Sequence, residues 1–328
     1  MHNKITRRAF CSMLLALPFP ARAQQPAKIP RIGWLSGGYH SGIRHRTEAF
    51  RQGLRELGYV EAKNILIEWR FADGKRDRVA ALATELARLK VDIIVSDSAS
   101  TTRTLKETIS TIPIVMTSDG DPVGQGFVAS LAHPGGNITG LSTLSPELSG
   151  KRLELLKEIV SKLSRVAIFG TSTSASNALE LKEVELAAGA LGLKIQYLDV
   201  LAPKDIETAF RAAAKQRSGA VLMNVSGGIM TFQRKEIANL AVKSRLPVAY
   251  HSRTYVEAGG LMSYGVNYTD LDRRAAVYVD KILKGRTPAN LPVEQPMKFE
   301  FVVNLQAAKK IGLTVPPNVL VRANKVIR

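Results

Sequence analysis

The sequence predicts an α/β protein made of two Rossmann-like lobes, each with a mainly parallel sheet. Short apolar runs that end in Ser, Thr, Asn, Asp or Gly alternate with segments of helical periodicity up to about residue 143, and the alternation restarts near residue 165. This order is typical of βαβ units. Because ligands of open α/β sheets bind beyond the carboxyl ends of the strands, two facing lobes predict a cleft lined by polar residues.

The elements of the first lobe follow from apolar runs and helical spacing. The predicted strands are Arg31–Leu35, Asn64–Phe71, Val91–Val95 and Ile112–Met116. The last two are continuous apolar runs, as expected for strands that are buried on both faces. One helix extends from Arg44 to Leu57, where Gly58 ends it, and a second follows from apolar residues on one helical face: Val79, Leu82, Ala83, Leu86 and Leu89.

The second lobe repeats this order after an opening helix that includes Leu153, Leu156 and Ile159. Its predicted strands are Val166–Phe169, Lys194–Val200, Ala220–Met223 and Pro247–Tyr250. The helices between them are predicted at Asn177–Leu191, Asp205–Lys215 and Thr231–Lys243. A further strand and helix, Gly260–Tyr264 and Leu271–Leu283, precede a proline-rich connector and a last strand, Phe299–Val303.

The N-terminus has the composition of an export signal. Residues 1–23 contain four basic residues and no acidic one, followed by an apolar run, Phe10–Leu17, that is too short to cross a bilayer. A small-x-small site ends at Ala23. We therefore predict a periplasmic protein that is cleaved near Ala23. The pair Arg7-Arg8 leaves the Sec and twin-arginine routes equally open.

Composition and motifs favour binding over catalysis. The single cysteine, Cys11, lies in the export signal, so the mature chain would have neither a disulfide nor a thiol nucleophile. The five histidines show neither a helical i,i+4 pair nor an HExxH run, and the GxSxG and GxxxxGK[ST] patterns are absent. We expect no cofactor and no metal.

The net charge of +18 has two interpretations. Basic residues are scattered along the predicted helices, often beside Glu, and aromatic residues make up only 6% of the chain. This pattern argues against nucleic acid as a partner, because stacking platforms would interleave aromatic and basic residues. We favour a solvated surface, with attraction of an anionic ligand or an acidic membrane partner as the alternative.

Several motifs carry a resemblance to a known family. They are Asp121–Gly124, Pro134–Gly140, Ala258–Gly265, Ile282–Gly285, Lys298–Asn304 and Ile311–Pro316. From about Pro30 to the C-terminus, the sequence resembles the substrate-binding proteins of ABC transporters, in the tryptophan/tyrosine-uptake-like group. The resemblance implies a type I periplasmic-binding-protein fold, in which two lobes joined by three hinge crossovers close on a small molecule. It also implies a monomer whose partners are an ABC permease and its ATPase.

The resemblance further implies how the chain is divided between the lobes. The N-terminal lobe would comprise residues 29–143 plus 251–285, and the C-terminal lobe residues 144–250 plus 294–328. The hinge crossings would lie near 140–143, 251–253 and 294–298. Closure about this hinge is the expected motion.

Candidate ligand contacts in the first lobe follow three strands: Ser36 and Gly37, Ser98 and Ala99, and Thr117 and Asp119. Free NH groups at the helix that follows Ser98 could hold a carboxylate, although Ser98 fits an ordinary N-cap equally well. Asp119 could pair with a ligand amine or form a turn before Gly120.

Candidate contacts in the second lobe are Thr171, Asn177, Asn224 and Arg253. Arg253 is the predicted cation for an anionic ligand group, with an ion pair to Asp or Glu across the hinge as the alternative. The favoured function is capture of an amino acid or a small carboxylate for an ABC importer. A periplasmic sensor for a membrane receptor and an exported α/β enzyme are the alternatives.

Overall fold

The computed structural model describes residues 28–174, 176–225 and 233–328. The predicted export signal, its cleavage site at Ala23 and Cys11 lie outside these residues. The predicted helix start at Thr231 also lies outside them, and the described part of that helix begins at Arg234. No helix within the described residues is both long enough and apolar enough to cross a membrane.

The first sheet contains five strands, all parallel, in the order β2-β1-β3-β4-β5. These strands are β1 (Arg31–Ser36), β2 (Leu66–Phe71), β3 (Ile93–Ser96), β4 (Ile114–Asp119) and β5 (Ile138–Ser142). The helices of this first lobe are α1 (His40–Glu56), α2 (Arg76–Arg88) and α3 (Ala99–Thr108), together with a later helix described below. The predicted βαβ alternation is confirmed here.

The second sheet contains seven strands in the order β12-β11-β10-β9-β8-β6-β7. Its strands are β6 (Arg165–Gly170), β7 (Lys194–Asp199), β8 (Ala220–Met223), β9 (Val248–Tyr250), β10 (Met262–Val266), β11 (Phe299–Asn304) and β12 (Lys325–Ile327). The pair β10–β11 is antiparallel, and the other described pairs are parallel. The predicted fold class, two mainly parallel α/β sheets, is therefore confirmed.

Helices cover both faces of the second sheet. In chain order they are α4 (Ser145–Ile159), α5 (Asn177–Ala190), α6 (Asp205–Lys215), α7 (Arg234–Lys243), α8 (Arg253–Glu257), α10 (Leu305–Lys310) and α11 (Pro317–Arg322). The helix between α8 and α10, α9 (Tyr268–Leu283), leaves this second lobe and packs along α1 of the first. A short 3-10 turn, Pro288–Asn290, follows α9 beside β5.

The side chains of each strand point alternately to the two faces of its sheet, so each hydrophobic core has two layers. In the first lobe, Trp34, Val95 and Val115 face α1 and α9. Their sequence neighbours Leu35 and Ile94 face α2 and α3 on the opposite side. Because successive strand residues point to opposite faces, a continuous apolar run fills both layers at once. This explains why the unbroken apolar runs become the central strands.

The chain crosses between the lobes at three places. The first crossing lies between β5 and α4, where Leu144 adopts a left-handed φ of 53° that turns the chain sharply. The third crossing leads from Glu294 to β11, and a bridge between Leu141 and Glu294 holds it beside the first. Crossings that run side by side can bend together, which is the geometry of a hinge.

The structure corrects the expected second crossing at residues 251–253. Strand β10 pairs with β9 on one side and with β11 on the other, so it extends the second sheet. The chain crosses afterwards, between Val266 and Tyr268, and α9 then packs on the first lobe. The expected first-lobe segment 251–285 therefore divides, with its strand in the second sheet and its helix on the first lobe.

The contact between α1 and α9 depends on a glycine. A Cβ atom on Gly53 would lie 2.3 Å from the carbonyl oxygen of Arg273, which is backbone and cannot move aside. Gly53 thus permits the close approach of the two helices. By contrast, a Cβ atom on Gly189 in α5 would meet no atom within 4 Å.

Replacement of Gly53 by Ala should therefore destabilise the protein. Overpacking typically costs about 1–3 kcal/mol, and we expect a loss of that order in the free energy of unfolding. The matched control, Gly189→Ala, should leave stability unchanged or raise it by about 0.5–1 kcal/mol, because alanine favours the helix. Denaturant unfolding of both variants provides the measurement. Equal stabilities for the two variants would contradict the close packing.

Candidate ligand-binding site

A cleft of about 470 Å³ lies between the two lobes. Its walls come from segments that follow strands in both sheets. The first lobe contributes residues after β1, β3 and β4, and the second lobe contributes residues after β6, β7, β8 and β9. The carboxyl ends of both parallel sheets therefore face one another across the cleft, as expected for ligand sites of open α/β sheets.

Five of the ten predicted contacts line the cleft: Gly37, Ser98, Ala99, Thr171 and Asn224. The other five lie behind its surface or away from it: Ser36, Thr117, Asp119, Asn177 and Arg253. Position after a strand thus pointed to segments that line the cleft. It did not determine which side chains of a segment point into the cleft.

Three of the residues behind the surface hold cleft residues in place. Ser36 donates a hydrogen bond of 2.5 Å to Oδ2 of Asp97, which lines the cleft. Thr117 accepts one from Arg46 at 2.9 Å. Asn177 accepts one from the backbone NH of Thr171 at 3.2 Å. These side chains position the cleft wall rather than form its surface.

Arg253 is already paired. Its Nη1 lies 3.3 Å from Oε1 of Glu300, and both residues belong to the second lobe. The alternative assignment, an ion pair, is the one observed, although the pair lies within one lobe instead of across the hinge. Arg253 is not among the residues that line the cleft.

Helix α3 begins at the cleft. Ser98 has extended backbone geometry, and its hydroxyl accepts a hydrogen bond from the backbone NH of Thr101, so it is the N-cap. Ser98, Ala99 and Ser100 all line the cleft. Ser98 therefore both caps helix α3 and lines the cleft. The positive end of the helix dipole faces the space that a ligand would fill.

Four arginines of the described residues line the cleft, and the sequence analysis missed all of them: Arg46, Arg103, Arg152 and Arg234. Arg46 of α1 donates to both carboxylate oxygens of Asp272 in α9, at 2.7 and 2.9 Å. The guanidinium also donates to Ser118 and to the carbonyl of Asp97. Burial alone would lower the pKa of Arg46, but the adjacent Asp272 carboxylate outweighs burial and raises it. The guanidinium donors of Arg46 are therefore occupied by protein groups, and its role is structural.

Arg152 of α4 is more deeply buried, at 3% exposed, and has different partners. Its Nε donates to the carbonyl of Tyr264 at 2.9 Å, and its Nη1 donates to Ser149 Oγ at 3.1 Å and to Asn224 Oδ1 at 3.3 Å. All three acceptors are neutral. No carboxylate of the described residues lies within ion-pair distance of Arg152, and burial lowers its pKa.

A buried acid stands on the same side of the cleft. Glu180 of α5 is 6% exposed, and burial raises its pKa although Arg152 and a hydrogen bond from Ser176 oppose the shift. The charge of Arg152 lowers the pKa of Glu180, although the described contacts include no ion pair between the two side chains. The second lobe thus presents a cation and an acid, both buried and both lining the cleft.

Two histidines and a tyrosine contribute to the electrostatics of the cleft. Burial and the Arg152 charge lower the pKa of His251 to about 3, so its ring is neutral at physiological pH. Burial, followed by the charges of Arg46 and other nearby arginines, also lowers the pKa of His45. Tyr268 lies at the second crossing, and the guanidinium carbon of Arg46 is 5.3 Å from its ring centre. Tyr268 also lines the cleft.

The sequence did contain a signal for Arg46 and Arg152. Buried residues of α1 include Ile43, Thr47 and Phe50, and Arg46 occupies the same helical stripe. In α4, Arg152 lies on the stripe that contains Leu156. A basic residue at a position where helical periodicity calls for an apolar one indicates a buried cation.

Within the described residues, no group of three or more His, Cys, Asp or Glu side chains is arranged to hold a metal ion. The donors of the cleft are instead hydroxyl, amide and guanidinium groups from both lobes. Such groups bind polar organic ligands by hydrogen bonds and charge.

Comparison with known proteins agrees with this arrangement. The chain matches the family described as ABC transporter substrate binding protein over residues 39–327. A tyrosine-binding protein of Clostridioides difficile strain R20291 is 22% identical over 275 residues, which cover 84% of this chain and 78% of that relative.

Solved structures share the fold. A conserved domain protein from Vibrio cholerae is 29% identical, with a TM-score of 0.83 over 91% of this chain and 100% of that one. An ABC domain from Streptococcus pneumoniae in complex with L-Trp is 24% identical, with a TM-score of 0.84 over 91% of this chain and 99% of that one. The architecture is thus that of a two-lobed periplasmic binding protein. The chain belongs to the family of ABC transporter substrate-binding proteins, which are solute-binding proteins rather than enzymes.

Asp119 provides a pH-dependent test of the site's electrostatics. This fully buried residue at the end of β4 accepts hydrogen bonds through Oδ1, while its Oδ2 has no partner among the described residues. Burial, assisted by the Asp121 carboxylate, raises the pKa of Asp119 to about 7. Between the ordinary pKa of 3.8 and about 7, the folded protein keeps a proton that the unfolded chain has lost.

The contribution of Asp119 to stability should therefore fall as pH rises through this window and stay low above pH 7. We expect Asp119→Asn to melt at about the same temperature as the unmodified protein near pH 4 and several degrees higher at pH 8. The exposed control Asp77→Asn should not show this trend. Melting curves across the pH range provide the test, and parallel curves for Asp119→Asn and the unmodified protein would contradict the assignment.

Proposed function

We propose that this chain is the extracytoplasmic substrate-binding protein of an ABC importer and that it captures an amino acid between its lobes. One observation carries the ligand class. The cleft contains buried groups of both charge signs, Arg152 and Glu180, on one wall. An amino acid carries a carboxylate and an ammonium group side by side, so it can satisfy both. The tyrosine and L-Trp ligands named for two relatives support the same class.

The composition of the walls argues against a sugar as the preferred ligand. Neutral sugars supply no charge, so they would leave the charges of Arg152 and Glu180 uncompensated in a desolvated cleft. Among the described residues, the aromatic rings available for stacking on the walls are few, namely Tyr255, Tyr268 and two histidines. An amino acid compensates both buried charges with its own.

Capture would proceed by closure about the three crossings. In an open form, water solvates the charged groups of both walls, and a ligand enters by diffusion. Closure brings the N-terminus of α3 toward the opposite wall and excludes water, which strengthens each polar contact. The closed form would then be the one presented to the permease. Every step is non-covalent, so the ligand is released unchanged.

Location and partners complete the proposal. The basic and apolar segments of residues 1–23 support export, with cleavage near Ala23. Family membership supports an ABC permease and its ATPase as partners, with the binding protein acting as a monomer. The excess of basic residues keeps the protein soluble and favours encounter with anionic partners.

A thermal-shift screen tests this function. The purified protein is melted with each of the twenty standard L-amino acids, with succinate as a small carboxylate and with glucose and ribose as neutral controls. A ligand present at 100 times its Kd stabilises the folded state by about 2.7 kcal/mol, so we expect at least one amino acid to raise Tm by about 5–10 °C. A shift with a sugar and with no amino acid would contradict the proposal. Mass spectrometry of compounds that co-purify gives an independent identification.

A further inference from the structure

We propose, on the basis of the function proposed above, that Arg152 and Asn224 together bind the carboxylate of the ligand and that Glu180 binds its ammonium group. The second lobe would then bind the α-carboxylate and α-ammonium groups of the amino acid, whichever side chain the ligand carries. Three observations support this assignment: a guanidinium with an unused donor, an amide with an unused donor, and an acid without a counterion.

The guanidinium of Arg152 is held in place by hydrogen bonds that leave its Nη2 nitrogen unused. Its Nε and Nη1 are held by Tyr264, Ser149 and Asn224, while Nη2 makes no hydrogen bond to any described residue. Because the guanidinium is planar and rigid, three bonds determine the direction of the remaining nitrogen. The free arm is therefore preorganised, so a ligand that binds to it need not order the side chain.

Asn224 supplies a second unused donor beside the first. Its Oδ1 accepts from Arg152, which can only donate, so the orientation of the amide is determined and Nδ2 is the free end. That Nδ2 is buried and has no partner among the described residues. An unsatisfied buried donor costs about 1–3 kcal/mol, and a ligand oxygen would remove this penalty. Two adjacent donors match the two oxygens of one carboxylate.

Glu180 is the acid that remains for the ammonium group. The other acid that lines the cleft, Asp97, accepts hydrogen bonds from Ser36 and Thr101 through its two oxygens. Glu180 forms no ion pair with any described residue. The charges of Glu180 and Arg152 attract each other, although the two side chains are not within ion-pair distance. The ammonium and carboxylate groups of one amino acid carry opposite charges on neighbouring atoms, so they match this pair.

Three other arginines at or near the cleft are already occupied, and Arg234, which also lines it, is only half-buried. Arg46 is paired with Asp272, and Arg253 with Glu300. Arg103 donates to Gln125 and lies over the ring of Phe127, with 5.2 Å between its guanidinium carbon and the ring centre. Arg152 is therefore distinguished by the combination of deep burial, neutral partners and a free donor.

Ligand analogues separate the two charges experimentally. The probe is the amino acid that gives the largest thermal shift in the screen, together with its α-amide, which lacks the carboxylate charge, and its deamino acid, which lacks the ammonium group. Calorimetric Kd values are measured with the unmodified protein and with Arg152→Gln and Glu180→Gln. Arg211→Gln and Glu185→Gln, both exposed on helices of the same lobe, are the matched controls.

Each variant should lose affinity only for the analogues that carry the matching charge. Glu180→Gln should weaken binding of the amino acid and its amide by about 10- to 100-fold, with little change for the deamino acid. Arg152→Gln should weaken binding of the amino acid and the deamino acid by a similar factor, with little change for the amide. Arg211→Gln and Glu185→Gln should leave all three Kd values within about twofold.

The outcomes distinguish the assignment from the proposed function. If the unmodified protein binds no amino acid, the proposed function fails and this assignment fails with it. If it binds an amino acid but each variant weakens all three probes equally, only the assignment of charges is overturned. Ratios of Kd between probes are independent of any general loss of affinity. Circular dichroism confirms folding, and Arg152→Lys, which keeps the charge, should retain part of the preference if Arg152→Gln fails to fold.

Discussion

The constraint on which the site depends is a buried positive charge, that of Arg152, which forms no ion pair with any described residue. Burying an ion removes its hydration, and a counterion normally offsets the loss. Arg46 follows this rule through Asp272, whereas Arg152 is held by a carbonyl, a hydroxyl and an amide. Neutral acceptors fix the geometry of Arg152, and the charge of Glu180 acts on it without a direct ion pair. The ligand would supply the direct ion pair.

The same contacts connect the site to the hinge. Arg152 is bound to the carbonyl of Tyr264 in β10, and β10 leads directly into the second crossing and Tyr268. Helix α9, which begins at Tyr268, carries the Asp272 that holds Arg46 in α1. A continuous series of bonded elements therefore joins the cation of the second lobe to that of the first. Movement of one lobe relative to the other must adjust these contacts, which places the polar centre of the cleft at the hinge.

Sequence reasoning succeeded where local pattern decides the structure. Continuous apolar runs such as Ile114–Met116 became central strands because both faces of a parallel sheet are covered by helices. The sheet membership of β10 could not be predicted in this way, because an apolar strand of five residues suits either sheet. Its place was decided by long-range pairing with β11, which lies more than thirty residues later in the chain.

The site was predicted at the level of segments rather than side chains. Strand ends led to Ser98, Thr171 and Asn224, which line the cleft, because topology alone brings such ends together. Arg253 was selected for its charge and its position after a strand, but a neighbouring acid already occupies it. Arg152 and Glu180 come from the interior of helices, and only their positions on buried stripes mark them. Pairing between distant residues decides which charges remain free, and spacing in the sequence does not reveal it.

A crystal structure of the protein with its bound amino acid tests the central claim most directly. The account predicts that the carboxylate of the ligand lies within hydrogen-bond distance of both Arg152 and Asn224, with its ammonium nitrogen at Glu180. A ligand whose carboxylate instead meets the N-terminus of α3 at Ser98–Ser100, with Arg152 bound only to its neutral protein partners, would contradict it.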